Sequence, residues 1–371
     1  MRQSRARSAY MRWIGLLIMA VVAALLPPGT AAGTAGGPEL TVMTRNLYLG
    51  TGLDNTVTAT TPGALVAAAT QDWLNVVAND FPTRARALAD EIAQARPDVL
   101  ALQEVSLWRD QTPGDIVSGT ITPNAGHVVY DFLAILRADL AARHVPYVAE
   151  SISTNADAEA PRLDPSSANG VTDVRLTDRD ALLVRAPLAG KITDPHNGHY
   201  AAQFTVPTFR GPVSFTRGWT LMDYRQDART PVRIFETHLE VESPPQAAQV
   251  QVAQGNEALA IIAGSPYPAV VLGDFNSAAD GSTTPTYANL TAALADGWAT
   301  ARPDDPGVTC CQKELLDSVQ PFAARIDLVL TTWRTPPAQI DRVGTTPFRL
   351  RPPPLWASDH AGVVARLELQ R

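Results

Sequence analysis

Ala269-Val270-Val271-Leu272-Gly273-Asp274-Phe275-Asn276-Ser277 is the stretch on which the reading of this chain turns. Four apolar residues form a short buried strand. A carboxylate and an amide follow at a spacing of two, so in extended backbone Asp274 and Asn276 share one face. Alone, the stretch reads more readily as an Asx turn closing a strand. It has company, however. Leu40 to Asn46 ends in Thr44-Arg45-Asn46, and Val99 to Gln103 runs into Glu104. Val232 to His238 ends in Thr237-His238, Ile326 to Leu330 carries Asp327 beside Arg325, and Ser358-Asp359-His360 precedes a last apolar run, Gly362 to Leu369. An apolar strand does not tolerate a carboxylate unless that group is paired or binds metal. Polar groups collected at strand ends are where α/β sheets place their ligand sites.

The donor types narrow the chemistry. Several carboxylates, an Asn and no Cys make a hard oxygen set, suited to Mg²⁺, Mn²⁺ or Ca²⁺ rather than structural zinc. His238 and His360 add groups that exchange protons near neutral pH. Two plainer readings stand beside these: Asp327 as an ion pair with Arg325, and His238 as a hydrogen-bonded core histidine.

Around these motifs, short apolar runs alternate with helical patterns, which predicts an α/β or α+β domain. Helices are expected over Thr83 to Ala95, ended by Pro97, over Val128 to Ala142, and from Ser243 to Ala263. Further strands are expected at Tyr147 to Ile152, Ala181 to Val184 and Phe215 to Tyr224. Residues 50–80 read as an inserted helix with its loop, positioned to cover a cleft. Residues 153–177 and 278–310, rich in Asp, Ser, Thr, Pro and Gly, read as loops.

Composition sets outer bounds. With 371 residues, 45% apolar and 18% charged, the chain buries a sizeable core and is neither disordered nor a coiled coil. A formal charge of -7 argues against a broad basic face that grips nucleic acid, although not against an enzyme touching a few phosphates. Arg2, Arg5, Arg7 and Arg12, the apolar run Ile14 to Leu26 and the small residues after it have the layout of a secretory signal peptide. Residues 1–35 are therefore expected to be cleaved and the protein exported to the extracellular space. That run is too short to span a bilayer comfortably, and no second one follows. Cys310 and Cys311 rule out a disulfide framework. Being adjacent, they form either a vicinal bridge or two buried thiols.

Asn46, Glu104, His238, Asp274-x-Asn276, Asp327 and Ser358-Asp359-His360, in that order and each at a strand end, resemble the endonuclease/exonuclease/phosphatase superfamily, the deoxyribonuclease I-like fold. The chain is most similar to its secreted bacterial members, and Thr309-Cys310-Cys311-Gln312 resembles a feature of that group. The resemblance runs from about Leu40 to Leu369. It implies a four-layer α/β/β/α sandwich, two packed mixed sheets flanked by helices, with residues 36–371 forming one catalytic domain. It also implies metal-dependent hydrolysis of a phosphoester, with Mg²⁺ the expected cofactor and Mn²⁺ or Ca²⁺ as alternatives. By motif, Glu104 would be the main metal carboxylate, assisted by Asn46, with Asp359 holding metal or orienting its neighbour. Asp274 would hold metal or activate the attacking water, and Asn276 would bind a phosphate oxygen. His360 would act as acid/base or phosphate clamp, its tautomer fixed by Asp327. Asp180 fits the position of an acid paired with His238, and Arg179 would contact phosphate. The substrate class stays open between a lipid head group or other small phosphoester and nucleic acid. A nuclease would draw on Arg45, Arg179 and Arg325. A third reading is a silent binding protein on the same scaffold. A monomer is expected.

Overall fold

The computed structural model describes residues 37–208, 211–226 and 231–369. The expected signal segment lies outside these. Strand β1 (Glu39–Asn46) leads to the inserted helices α1 (Asp54–Val57) and α2 (Pro62–Ala78), then to α3 (Phe81–Ala95) and β2 (Val99–Gln103). Strands β3 (Leu107–Gln111) and β4 (His127–Asp131) precede α4 (Phe132–Ala142). A long hairpin follows, β5 (Tyr147–Leu163) and β6 (Val171–Arg185), then β7 (Ile192–His199) and a small hairpin, β8 (Phe204–Thr208) and β9 (Gly211–Phe215). The second half contains β10 (Gly218–Arg225), β11 (Pro231–His238), α5 (Pro245–Ala263), β12 (Ala269–Asp274), α6 (Thr286–Ala293), β13 (Ala295–Asp296) and α7 (Gly297–Ala301). It closes with β14 (Asp327–Thr331), β15 (Gln339–Val343) and β16 (Gly362–Glu368).

Apart from the two-stranded β8–β9 hairpin, these strands make two mixed sheets. One runs β15-β16-β1-β2-β6-β3-β4, with β5 also paired to β6; the other runs β13-β14-β12-β11-β10-β7. Side-chain alternation sorts their residues into layers. Leu40, Val42, Val99, Ala101, Leu182 and Val184 pack against Met222, Ile234, Val270, Leu272 and Val329 of the facing sheet. Their neighbours Met43, Leu100, Leu102, Ala181 and Leu183 pack outward on α3 and α4 through Leu88, Ile92, Phe132 and Leu136. Phe235, Val271, Leu328 and Leu330 pack outward on α5 and α6 through Ala258, Ile262 and Leu290. The result is the expected α/β/β/α sandwich. Strands covered on both faces read as continuous apolar runs, which is why they were legible.

The structure corrects four assignments. Residues 153–177 are mostly strand: β5 and β6 extend the sheet, and their polar side chains pair across strands, as Arg175 does with Asp157. The helix expected from Val128 begins at Phe132, because His127–Asp131 pairs with β3 and the Asp131 carboxylate then caps the helix at Ala134 N. The strand expected over Phe215 to Tyr224 breaks at Thr216-Arg217; Phe215 belongs to the small hairpin. Residues 278–310 contain α6, β13 and α7.

One polar chain crosses between the sheets. Thr44 Oγ1 donates to Gln103 Oε1 (3.1 Å), Gln103 Nε2 to Glu236 Oε1 (2.9 Å), and Thr220 Oγ1 to Glu236 Oε2 (2.7 Å). All four residues are fully buried. Burial pushes the Glu236 carboxyl up to about 7. A carboxyl raised in the folded state favours folding at pH below its ordinary range, and that contribution is lost as pH rises through about 7. Glu236→Gln, which never ionises, is therefore expected to melt at a higher temperature than the parent at pH 8, with the difference shrinking toward pH 5. Calorimetric melting at both pH values checks this, and equal midpoints at pH 8 would contradict it.

Candidate active site

Strand register places three of the predicted residues side by side. His238 at the end of β11 lies opposite Asp274 at the end of β12, and Asp274 lies opposite Asp327 on β14. Gly273 makes the close approach of β11 and β12 feasible: its φ is +149°, and a Cβ there would sit 1.9 Å from Thr237 O. Immediately after the strands the backbone turns sharply, with Glu104 at φ +55° and Asn276 at φ +49°. A left-handed glutamate is strained, and such strain persists only where the surroundings impose it.

His360 closes this row from the other sheet. Its Nδ1 lies 2.9 Å from Asp327 Oδ2, and its Nε2 lies 3.7 Å from Asp274 Oδ2. Burial opposes a charge on the ring, but Asp327, Asp359 and Asp274 outweigh it and raise the imidazole well above its ordinary range. At neutral pH His360 is an imidazolium. Asn46, at the end of β1, donates through Nδ2 to Glu104 Oε1 (3.0 Å) and Asp274 Oδ2 (3.1 Å). Glu104 Oε2 accepts from Leu49 N at 2.6 Å.

The other histidine is in the opposite state. Burial foremost, then Arg217 and His360, lower His238 well below its ordinary range. Arg217 Nη1 lies 3.0 Å from His238 Nδ1. A guanidinium only donates, so Nδ1 accepts from it. The other ring nitrogen, Nε2, lies 3.7 Å from Asp274 Oδ2 and 3.1 Å from Asn276 Nδ2. One imidazole is thus charged and one neutral, the separation that acid/base work requires.

Two buried arginines hold the frame. Arg84, fully buried on α3, donates to the carbonyls of Leu47 (2.7 Å), Tyr48 (2.9 Å), Asn79 (3.1 Å) and Ala357 (2.9 Å). It thereby ties the turn after β1 to the segment that leads into Asp359-His360. Arg45 bonds the His360 carbonyl and pairs with Glu91 at 3.0 Å. On the other flank, Thr309 Oγ1 accepts from Ile326 N and Asp327 N, and the Cys310 backbone bridges to His360 and Ala324. Cys310 and Cys311 are joined in a disulfide, with Cys311 Sγ 3.9 Å from His360 Nε2.

Asn46, Glu104, His238, Asp274, Asn276, Asp327, Asp359 and His360 therefore converge. Two predicted contacts do not form as expected. Asp180 stands 3.9 Å from His238 Nδ1, and its Oδ2 accepts from Asn155 Nδ2 instead (2.6 Å); Arg217 occupies the position beside the ring. Arg179 is turned to the β2–β3 connection, donating to Val105 O (2.8 Å) and to Asp131 Oδ1 (2.7 Å). Of the other arginines put forward for phosphate, Arg45 is committed as above and Arg325 is buried against Asp296 at 2.6 Å. Arg217 was missed. It falls in the break between β9 and β10, and its charge is balanced by Asp178 (3.8 Å) and Glu240 (3.7 Å), which only the folded chain brings near.

Acid is in excess here. Burial raises Glu104, with Asp359 adding to it, and burial likewise raises Asp359. Burial lifts Asp274 to about 7 against the pull of His360. Carboxylates that raise one another fit a hard divalent cation. Asp274, Asp327 and His360 bring ligand atoms within 4.8 Å of one another, and the Asp359 carboxylate lies close enough to Glu104 to raise it.

Residues 72–360 match the Endonuclease/Exonuclease/phosphatase family. The chain belongs to that family. It is accordingly a metal-dependent hydrolase acting on phosphoester bonds. Among solved structures, an endonuclease/exonuclease/phosphatase family protein from Bacteroides thetaiotaomicron is similar at 14% identity and TM-score 0.52, over 90% of this chain and 99% of that one. A family protein from Leptotrichia buccalis C-1013-b is similar at 13% identity and TM-score 0.51, over 89% of this chain and 100% of that one. At these identities the likeness speaks for the fold alone. No curated protein sequence matches the chain significantly.

The role of Arg84 gives a direct expectation. Arg84→Met keeps the apolar stem but leaves four buried carbonyls without their donor, at about 1–3 kcal/mol for a buried group left unpaired. Chemical denaturation should show a loss of several kcal/mol. Stability unchanged within about 0.5 kcal/mol would contradict the bracing role.

Proposed function

We propose that the protein is an exported phosphodiesterase that hydrolyses a small or lipid-linked phosphodiester by attack of water. The observation carrying this reading is the row His238–Asp274–His360–Asp327, in which a carboxyl lifted to about 7 lies 3.7 Å from a neutral and from a protonated imidazole. Asp274, oriented by Asn46 Nδ2 and by Asn276 N at 3.0 Å, accepts the proton of the attacking water. His360, held by Asp327, hydrogen-bonds a phosphoryl oxygen as charge grows there, while the ester P–O bond opposite the attacking water breaks and the departing oxygen takes a proton from solvent. The Asn276 side chain lies beside His238 in the same cleft and adds to that stabilisation. Glu104, Asp359 and Asn46 would hold a divalent cation, Mg²⁺ by the hardness of the donors, which would supply polarisation of the phosphoryl group.

The arginines favour a small substrate over a polynucleotide. Arg45, Arg179 and Arg325 are bound to carboxylates or backbone carbonyls, so the cations a nuclease would set along successive phosphates serve the fold instead. A silent scaffold would lack part of the site, yet every motif residue is present. Among the described residues no helix is long and apolar enough to cross a membrane. Export is supported by the Arg-rich start, the apolar run Ile14 to Leu26 and the small residues beyond it.

The test compares bis(p-nitrophenyl) phosphate, p-nitrophenyl phosphate, plasmid DNA and sphingomyelin, each with Mg²⁺ and with EDTA. Turnover of a small or lipid diester is expected to require the metal and to fall about 10²–10⁴-fold in His360→Ala. Preferred cleavage of plasmid DNA would move the protein to the nucleases. Silence on all four substrates, with the protein folded and binding metal, would favour the binding scaffold.

A further inference from the structure

A second concavity opens beside the cleft. It encloses about 360 Å³ between the inserted helices α1 and α2, the β8–β9 hairpin and the far half of β6. Its walls include Leu53, Val57, Trp73, Trp108, Leu176 and Phe215. Trp73 and Trp108 meet edge to face at 6.1 Å. This size and lining are those of a ligand pocket rather than of a packing defect.

Three elements link the walls of the pocket to the catalytic residues. On β6, alternate residues point the same way, so Val174 and Leu176 in the pocket wall share a face with Asp178 and Asp180 beside Arg217 and His238. Phe215 lines the pocket two residues before Arg217. Trp108 Nε1 donates to Leu49 O (3.0 Å), and Leu49 N holds Glu104 (2.6 Å). The insertion that forms the far wall is pinned: Glu314 Oε1 accepts from Thr51 Oγ1 (2.9 Å), Gly52 N (2.8 Å) and Asn75 Nδ2 (2.9 Å). The wall therefore stands without a ligand.

Charge selects the occupant. The ionisable groups among the described lining residues are Asp72, Asp157 and Glu159, with no Lys or Arg. Asp157 is taken up by Arg175, and Asp72 accepts from Thr51 and Thr56. A chain carrying further phosphates would meet apolar surface and carboxylates there. An uncharged alkyl chain would meet only what it buries well against.

Resting on the phosphodiesterase reading, we propose that this pocket receives the alkyl chain of an amphipathic phosphoester while its phosphate lies in the cleft by Arg217, His238 and His360. The substrate is thus identified as one with an apolar arm attached through the phosphate ester. The proposed chemistry is unchanged; the pocket sets which diesters reach it.

Two measurements separate this inference from the reading beneath it. Calorimetric binding of butyl, hexyl, octyl and decyl phosphate, below their micellar concentrations, needs no turnover. Affinity is expected to tighten about fourfold per added methylene until the pocket is filled. Val213→Asp, on the exposed hairpin wall and away from the catalytic residues, is expected to flatten that dependence while leaving butyl phosphate binding and bis(p-nitrophenyl) phosphate turnover unchanged. Affinity independent of chain length, or a dependence intact in Val213→Asp, overturns the alkyl pocket. Absent turnover of bis(p-nitrophenyl) phosphate alongside a clear chain-length dependence would instead refute the catalytic reading and leave the pocket standing.

Discussion

Sheet register forces carboxylates together at the heart of this protein. Asp274 and Asp327 are direct cross-strand partners, and like charges placed so are unfavourable. Both are buried, where an uncompensated charge costs several kcal/mol. The arrangement is viable because His360 inserts between them, bonding one and facing the other, and takes up the positive charge that the row lacks. What makes the strand ends unstable as a fold makes them effective as chemistry. Burial, with Asp327 adding to it, lifts Asp274 to about 7, and the surrounding carboxylates raise His360 well above its ordinary range.

Positive charge is accordingly divided between two tasks. Arg45 and Arg84 have almost no access to solvent and act on backbone carbonyls, fixing where the β1 turn and the His360 segment lie. Their planar, multi-donor heads suit that task in a way that a lysine would not. Arg217 acts electrostatically, keeping His238 neutral and partly offsetting Asp178 and Glu240.

The legible parts of the sequence were those whose signal is local. Buried strands announce themselves as apolar runs, and the polar residue that ends each one stands out against it. Asn46, Glu104, Asp274 and His360 were found in this way. The long β5–β6 hairpin was hidden because its exposed half satisfies itself with cross-strand pairs such as Arg175–Asp157, and a polar strand of that kind resembles a loop in composition. Arg217 and the displacement of Asp180 were hidden for a different reason. The partner of a histidine's second nitrogen is fixed by tertiary contact between β6, β10 and β11, and no spacing in the chain encodes it.

This division also explains how one scaffold separates chemistry from recognition. The catalytic groups sit at the ends of strands packed on both faces, where a change of side chain disturbs two layers at once. The walls around them come from β5–β6 beyond the second sheet, from the 50–80 insertion and from the β8–β9 hairpin. Along β6 the transition occurs within a single strand. Leu182 and Val184 are core, Asp180 and Asp178 belong to the cleft, and Leu176 and Val174 form the wall beyond it. A strand that begins in the recognition surface and ends in the core fixes the distance between the two, and the rigid β-ladder does so without any moving part.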